Sequence, residues 1–117
     1  MPLIRVDHNP ADINDSLVEQ LVNKLLNFAM KLHNMNEDQI SIFTQSYSSS
    51  SHSTAAAEVE VRAKKTEYGD NPEERRQNHM GEYEKFFNDF LKTNNIDKGI
   101  VFTLTLEDWS VKFIAKV

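Results

Sequence analysis

A proline in second position is the residue of this sequence whose type and place could do chemistry. The chain begins Met1-Pro2-Leu3-Ile4-Arg5-Val6, so removal of Met1 would leave Pro2 as a free secondary amine at the head of a short apolar segment. A partly desolvated amine of this kind can act as a general base near neutral pH. While Met1 remains, the same nitrogen belongs to an amide and has no basicity. The alternative interpretation is that Pro2 is an ordinary second residue that begins a strand.

Charged residues on a later segment form a second, weaker candidate site. Glu58, Glu60, Arg62 and Lys64 alternate with apolar residues and would share one face of a strand, where they could bind an anion. The alternative is that they are solvated or paired across a sheet. If the first strand runs antiparallel to this one, Arg5 would face Glu58 or Glu60.

Two further groups of side chains are candidate sites. Arg75 and Arg76, with Lys64 and Lys65, could attract a carboxylate or could simply form a solvated helix start. The histidines show no metal-ligand spacing, and we expect them at the surface. They are His8, His33, His52 and His79.

Composition excludes several classes of function. The 117 residues predict one domain over 1–117, and the formal net charge of −5 argues against nucleic acid or anionic membrane as the main partner. There is no cysteine and there are three glycines, so we expect no thiolate metal site, no phosphate-binding loop and no cofactor. Apolar runs are too short for a signal peptide or a membrane span, which makes the cytoplasm the default location.

The elements that would position these residues can be predicted from periodicity. Leu3–Val6 is a strand, and an apolar stripe from about Asn14 to His33 predicts an amphipathic helix. Asp12, Asn14 or Ser16 could cap this helix, the last in a capping box with Glu19. Residues 39–47 alternate as a second strand, and the serine-rich stretch 46–54 that follows is a surface connection or a lid.

The second half repeats this order. Residues 55–64 alternate as a strand, and Asn71 followed by Pro72 predicts a helix start. Residues 99–106 form the next strand, and 109–117 can form a last one, with Trp109 packed on a neighbouring subunit or lining a pocket. The second helix carries an aromatic stripe that we assign to the core: Tyr83, Phe86, Phe87 and Phe90.

This order predicts an α+β fold of two tandem β-α-β units, over about 2–47 and 55–106. Right-handed crossovers would place both helices on one face of a single mixed sheet. The other face would expose Leu3, Phe43 and Val101, which copies of the same chain would cover most simply. A ferredoxin-like domain has the same element order, but there another strand separates the two strands of each unit.

The start of the chain, the tandem layout, the length and the Trp109 tail together resemble the tautomerase superfamily, which includes oxalocrotonate tautomerase and macrophage migration inhibitory factor (MIF). The resemblance covers the whole chain in layout and is specific in residues only at the N-terminus. It implies a homotrimer whose sheets form a central barrel. It also implies that Pro2 is the catalytic base or acid in keto–enol isomerisation of a small carboxylate-bearing substrate, and that Phe102 is an aromatic wall of the substrate site.

The sequence departs from the family pattern where substrate cations are expected. No arginine occurs in 9–12 or 40–43, and no lysine occurs in 34–36. Leu104 stands where an amide is expected and cannot donate a hydrogen bond. A second function therefore remains open, a non-catalytic trimer that keeps the fold as a binding or interaction protein.

Overall fold

The computed structural model describes residues 2–48 and 53–108. The predicted strand over 109–117, with Trp109, lies outside these residues, as do His52 and the middle of the serine-rich stretch. Short 3-10 turns precede the second strand, at Glu37–Gln39, and follow the third, at Lys65–Tyr68. The main elements are β1 (Leu3–His8), α1 (Asp15–His33), β2 (Ser41–Ser46), β3 (Ala57–Lys64), α2 (Pro72–Thr93) and β4 (Ile100–Glu107).

Both helices begin at an asparagine cap. The Asn14 side chain accepts a hydrogen bond from the backbone N–H of Leu17 at 2.9 Å, so Asn14 is the cap of α1 among the three predicted candidates. Asn71 caps α2 in the same way, and Pro72 occupies the first helical position as predicted. Within the described residues, neither helix is long and apolar enough to cross a membrane.

The four strands form one mixed sheet in the order β2-β1-β3-β4. β1 pairs in parallel with β2, β3 pairs in parallel with β4, and the antiparallel pairing of β1 with β3 joins the two halves. The two strands of each β-α-β unit are therefore neighbours. This pairing confirms the predicted arrangement and excludes the ferredoxin-like alternative.

The hydrophobic core lies between the sheet and the two helices. Alternate residues of the central strands point into it and are buried, as are the i, i+4 positions of α1 and most of the aromatic stripe of α2, where Phe86 is partly buried. The core prediction for α2 is thus confirmed. The fully or nearly buried members of the core include Ile4, Val6, Val59 and Val61 of the sheet, Leu21, Leu25 and Ala29 of α1, and Tyr83, Phe87 and Phe90 of α2.

Among the described residues, no helix lies over the opposite face of the sheet. Phe43 and Val101 are 62% and 51% exposed there. Arg5 lies directly across from Glu60, as the antiparallel alternative predicted, although its closest carboxylate is that of Asp7 on its own strand, at 3.5 Å. This open sheet face therefore combines charged residues with exposed apolar ones.

Arg62, on the charged face of β3, is paired across the sheet. Arg62 donates two hydrogen bonds to the Glu107 carboxylate on β4, from Nε at 3.1 Å and from Nη2 at 2.9 Å. Because two N–H groups of the guanidinium already donate to this carboxylate, few donors of Arg62 remain for a ligand. The structure thus favours the pairing interpretation of this strand over an anion site.

Candidate functional site

Pro2 is fully buried at the head of the central strand β1. Its neighbour Leu3 pairs with Ser41 on β2 and with Arg62 on β3, so β1 begins between two other strands. The Pro2 carbonyl accepts a hydrogen bond from the Ser41 N–H at 3.2 Å. The ring is therefore held in place by the sheet, and burial disfavours the charged form of an amine at this position.

Four buried polar side chains lie at the same end of the fold, and we call them the histidine–tyrosine cluster: His33, Tyr68, His79 and Tyr83. His33 is the last residue of α1, Tyr68 ends the 3-10 turn after β3, and the other two lie on α2. His33 Nε2 is 2.8 Å from the Tyr83 hydroxyl, and His79 Nδ1 is 2.8 Å from the Tyr68 hydroxyl. The two imidazoles meet edge to face with ring centroids 4.9 Å apart.

Burial keeps every member of the cluster uncharged at neutral pH. Desolvation and the neighbouring His79 lower the pKa of His33 to about 4, and desolvation with the nearby Arg75 lowers the pKa of His79. Desolvation raises the pKa of both Tyr68 and Tyr83. The Arg75 guanidinium lies 5.8 Å from the centroid of the Tyr68 ring. The cluster is therefore a neutral polar network with a cation at its rim.

The expectation that the histidines lie at the surface is wrong for three of the four. His8, His33 and His79 are all more than nine-tenths buried, because a ring nitrogen of each has a hydrogen-bond partner inside the protein. For His8 the partner of Nδ1 is the Ile13 carbonyl oxygen at 2.8 Å. Among the described residues, no group of three or more histidine, aspartate or glutamate side chains could hold a metal ion.

The helical periodicity of the sequence contains the signal that His33 and His79 are buried. His33 continues the i, i+4 series Leu21, Leu25, Ala29 on the buried stripe of α1. His79 begins the corresponding series on α2, with Tyr83 and Phe87. Their side-chain partners, by contrast, depend on how the helices pack and are not visible in the sequence.

Phe102 lies apart from Pro2 within one subunit. It pairs with Val59 on the helix side of the sheet, and its ring packs on Tyr83 and Phe87 with centroid distances of 4.8 and 5.4 Å. Val59 pairs with Val6 of β1, and Pro2 precedes Val6 by four residues. Along the strand direction, Pro2 and Phe102 are therefore separated by roughly 13 Å. Phe102 instead lines a cleft of about 360 Å³ between α2 and β4, with Met80 and Leu91 among its other walls.

Two of the four basic residues near the start of α2, Lys65 and Arg76, share a cleft with carboxylates. Arg76 pairs with Glu73 and also donates to the Leu104 carbonyl at 3.4 Å. Lys65 and Arg76 line a cleft of about 450 Å³ that also contains Glu73 and Asp108. Carboxylates thus balance the cations within the cleft, and the arrangement gives no net attraction for an acid substrate.

Comparison with known proteins gives a likeness in structure but not in sequence. No protein-family model and no curated protein sequence matches the chain. A probable enzyme from the thermophilic fungus Aspergillus fumigatus superposes with a TM-score of 0.71 at 11% identity, covering 95% of this chain and 80% of the other. A MIF-like protein from Entamoeba histolytica does so with a TM-score of 0.64 at 10% identity and 95% coverage of both chains.

A third structure of the same fold is a malonate semialdehyde decarboxylase, with a TM-score of 0.65, 12% identity, and coverage of 95% of this chain and 91% of the other. At such identities the likeness concerns the arrangement of the chain and not the residues of a site. It agrees with the strand order and with the position of β1 at the centre of the sheet. The chain therefore has the same fold as the MIF-like protein and the malonate semialdehyde decarboxylase.

Proposed function

We propose that the chain, once Met1 is removed, is an isomerase that uses Pro2 as a general base on a small keto or enol acid. The observation that supports this most is the burial of Pro2 at the head of the central strand, with its carbonyl fixed by Ser41. A rigid amine shielded from water is suited to proton transfer at neutral pH. The same residue in an exposed, flexible N-terminus would have no such advantage.

The reaction is a proton transfer that leaves the enzyme unchanged. The Pro2 nitrogen takes a proton from the hydroxyl of an enol, or from the carbon beside a carbonyl, and returns it at the other end of the three-atom system. The carbon–carbon and carbon–oxygen double bonds exchange places, and no oxidant, metal or cofactor is consumed. The class of substrate is supported by the fold, since the malonate semialdehyde decarboxylase that shares it is named for a small acid with a carbonyl group.

A complete substrate site needs more than one copy of the chain. Phe102 lies too far from Pro2 in the same subunit to form a wall of its site, so an aromatic wall would come from the Phe102 of a second copy. The open sheet face, with Phe43 and Val101 exposed, offers a surface for such an assembly. The homotrimer that the family resemblance implies would satisfy both requirements.

The experiment begins with the state of the N-terminus. Intact mass identifies a Met1-free preparation, which is assayed for isomerisation of 2-hydroxymuconate and phenylpyruvate. We expect activity that Pro2→Ala lowers about 100-fold or more, which is the usual contribution of a general base. Pro10→Ala is the matched control, because Pro10 is an exposed proline in the turn after β1 and should leave the rate unchanged.

Two outcomes would reject the proposal. A Met1-free, folded protein that is inactive on both substrates would reject it for this substrate class. Equal activity of the wild type and of Pro2→Ala would reject the role of Pro2.

A second candidate function is a non-catalytic assembly that keeps the fold as a binding or interaction protein. The balanced charges around Arg76 favour it, because the cleft that contains Lys65 and Arg76 also contains the carboxylates of Glu73 and Asp108. A trimer without isomerase activity in the Met1-free state would support this second function over the first.

A further inference from the structure

The histidine–tyrosine cluster joins three elements that share no backbone hydrogen-bonded pairing. His33 anchors the C-terminal end of α1, Tyr68 anchors the 3-10 turn after β3, and both bond to side chains of α2. The contact between the two imidazoles links these two hydrogen bonds into one network. The network closes the end of the fold at which β1 begins with Pro2.

Each hydrogen bond of the network requires a neutral imidazole in the tautomer that pairs the tyrosine O–H. In the neutral state a tyrosine O–H can donate to the unprotonated ring nitrogen. A protonated His33 would donate from Nε2 instead, and the Tyr83 hydroxyl hydrogen would then need a new acceptor. Among the residues that the structure describes, the Tyr83 hydroxyl has no second hydrogen-bond partner, so protonation would leave a buried donor unpaired.

The charges that face the cluster act mostly against protonation. For His33 these are His79 and Arg75 on α2, together with the positive charge of the chain's amino terminus. For His79, Arg75 opposes protonation and Glu82 favours it. On the 3-10 turn, the Glu67 carboxylate faces Tyr68 and opposes ionisation of its hydroxyl. Protonation of one imidazole also opposes protonation of the other, because their rings are in contact.

We propose that the histidine–tyrosine cluster is an acid-sensitive latch, which holds the end of α1 and the 3-10 turn onto α2 at neutral pH and releases them on mild acidification. Three observations support the proposal: the two buried tyrosine–histidine hydrogen bonds, the contact between the imidazoles, and the position of His33 and Tyr68 at the ends of two separate elements. The proposal does not depend on catalysis by Pro2. It would hold equally in a protein without enzymatic activity.

The direction of the effect follows from proton binding. In the unfolded chain His33 takes up a proton near its ordinary pKa of 6.5, whereas in the folded protein it does so only near pH 4. The unfolded or released state therefore binds more protons between these values, and stability is full above pH 6.5 and lost as the pH falls toward 4. His33 alone would raise the unfolding equilibrium constant about 20-fold between pH 7 and pH 5.

The first test uses the unaltered chain. Imidazole NMR signals followed from pH 8 to pH 4 should show two histidines that stay neutral until the protein opens. Amide hydrogen exchange, corrected for its intrinsic pH dependence, should increase first in the last turn of α1 and in residues 65–68. If His33 and His79 titrate near pH 6.5 with the fold intact, the proposal is wrong.

The second test compares variants by urea unfolding at pH 7 and pH 5. His33→Gln combined with His79→Asn places an amide near each tyrosine hydroxyl, whose oxygen can accept the hydrogen bond from that hydroxyl but which cannot titrate, and we expect the double variant to lose most of the pH dependence. His8→Asn is the matched control, because His8 is equally buried but bonds to the Ile13 carbonyl outside the cluster, and it should keep the wild-type dependence. An unchanged pH dependence in the double variant would overturn the proposal. Should the double variant not fold, the NMR titration of the unaltered chain decides alone.

Discussion

Tyr83 serves the apolar core with its ring and the polar cluster with its hydroxyl. The ring is fully buried and contacts Phe28, Phe87 and Phe102, with centroid distances from 4.8 to 6.1 Å. The hydroxyl lies 2.8 Å from His33 Nε2. A buried tyrosine that meets both demands links the packing of α2 to the end of α1, because neither its ring nor its hydroxyl can move without the other.

Replacing Tyr83 by phenylalanine isolates the hydroxyl at nearly constant volume. The His33 ring nitrogen would lose its partner in a buried position, and we expect the free energy of unfolding to fall by about 1–3 kcal/mol at pH 7. Chemical denaturation measures the change. Tyr47→Phe is the control, since the Tyr47 hydroxyl makes a long contact of 3.5 Å with Ser53 near the surface, and its loss should change stability by less than about 0.5 kcal/mol. Equal effects of the two substitutions would contradict the role given to the cluster.

At the scale of the element, α1 is defined by asparagines at both ends. Asn14 caps the first turn, and Asn34 ends the helix in the left-handed conformation at φ 53°, where its N–H is directed at the carbonyls of Lys31 and Met30. Asparagine tolerates both positions because its short side chain hydrogen-bonds locally. These two residues fix the length of α1, and so they place His33 at its last position.

The cap at Asn14 can be tested against the alternative that the sequence left open. Asn14→Ala removes the acceptor of the Leu17 N–H, and we expect a loss of about 1 kcal/mol in the free energy of unfolding. Ser16→Ala changes a residue that is already inside α1, and its effect should stay within about 0.5 kcal/mol. Thermal or urea unfolding distinguishes the two. A larger loss for Ser16→Ala would show that the helix begins with the capping box instead.

At the scale of the whole molecule, the helices cover one side of the sheet, and no helix of residues 2–48 and 53–108 covers the other. The helices bury the face that contains Ile4 and Val61, whereas the open sheet face exposes Phe43 and Val101 beside charged residues. Such a mixture is typical of a surface that contacts another protein, where apolar area is buried and charged pairs set the register. The homotrimer proposed above would use this face.

The assembly can be tested by placing a charge on the open sheet face. We expect the wild type to run at about 40 kDa in light scattering, three times the 13.5 kDa chain, and Phe43→Asp to shift it toward the monomer because a buried unpaired carboxylate is costly. Thr44→Asp is the matched control, because Thr44 is the next residue of β2, is exposed and points to the other face. A wild-type monomer, or equal effects of the two variants, would refute the use of this face.

Periodicity in the sequence was sufficient to predict the elements and their order. Alternating apolar residues locate β3, and the i, i+4 stripes locate both helices, because each pattern reports which side of an element is buried. The same patterns predict the aromatic core of α2 and the exposure of Phe43. The sequence alone allows Arg5 to face either Glu58 or Glu60, and the structure places Arg5 across from Glu60.

Fewer features of the candidate site can be predicted from periodicity. The polar rings of His33 and His79 lie on apolar stripes, and a rule that places polar residues outside misses them when they have partners inside. Their partners, Tyr83 and Tyr68, come from α2 and from a 3-10 turn that periodicity does not reveal. The separation of Pro2 from Phe102 depends on strand register, which is a property of the assembled sheet.

The place of Pro2 at the centre of the sheet has a consequence for the order of events during synthesis. β1 is enclosed only when residues 41–46 and 57–64, which follow it in the chain, have been made and have paired on its two sides. Once that pairing is complete, Pro2 is buried. If Pro2 acts as proposed, we expect Met1 to be removed before this pairing is complete, so that the speed of folding relative to processing would set the fraction of molecules with a free Pro2 amine.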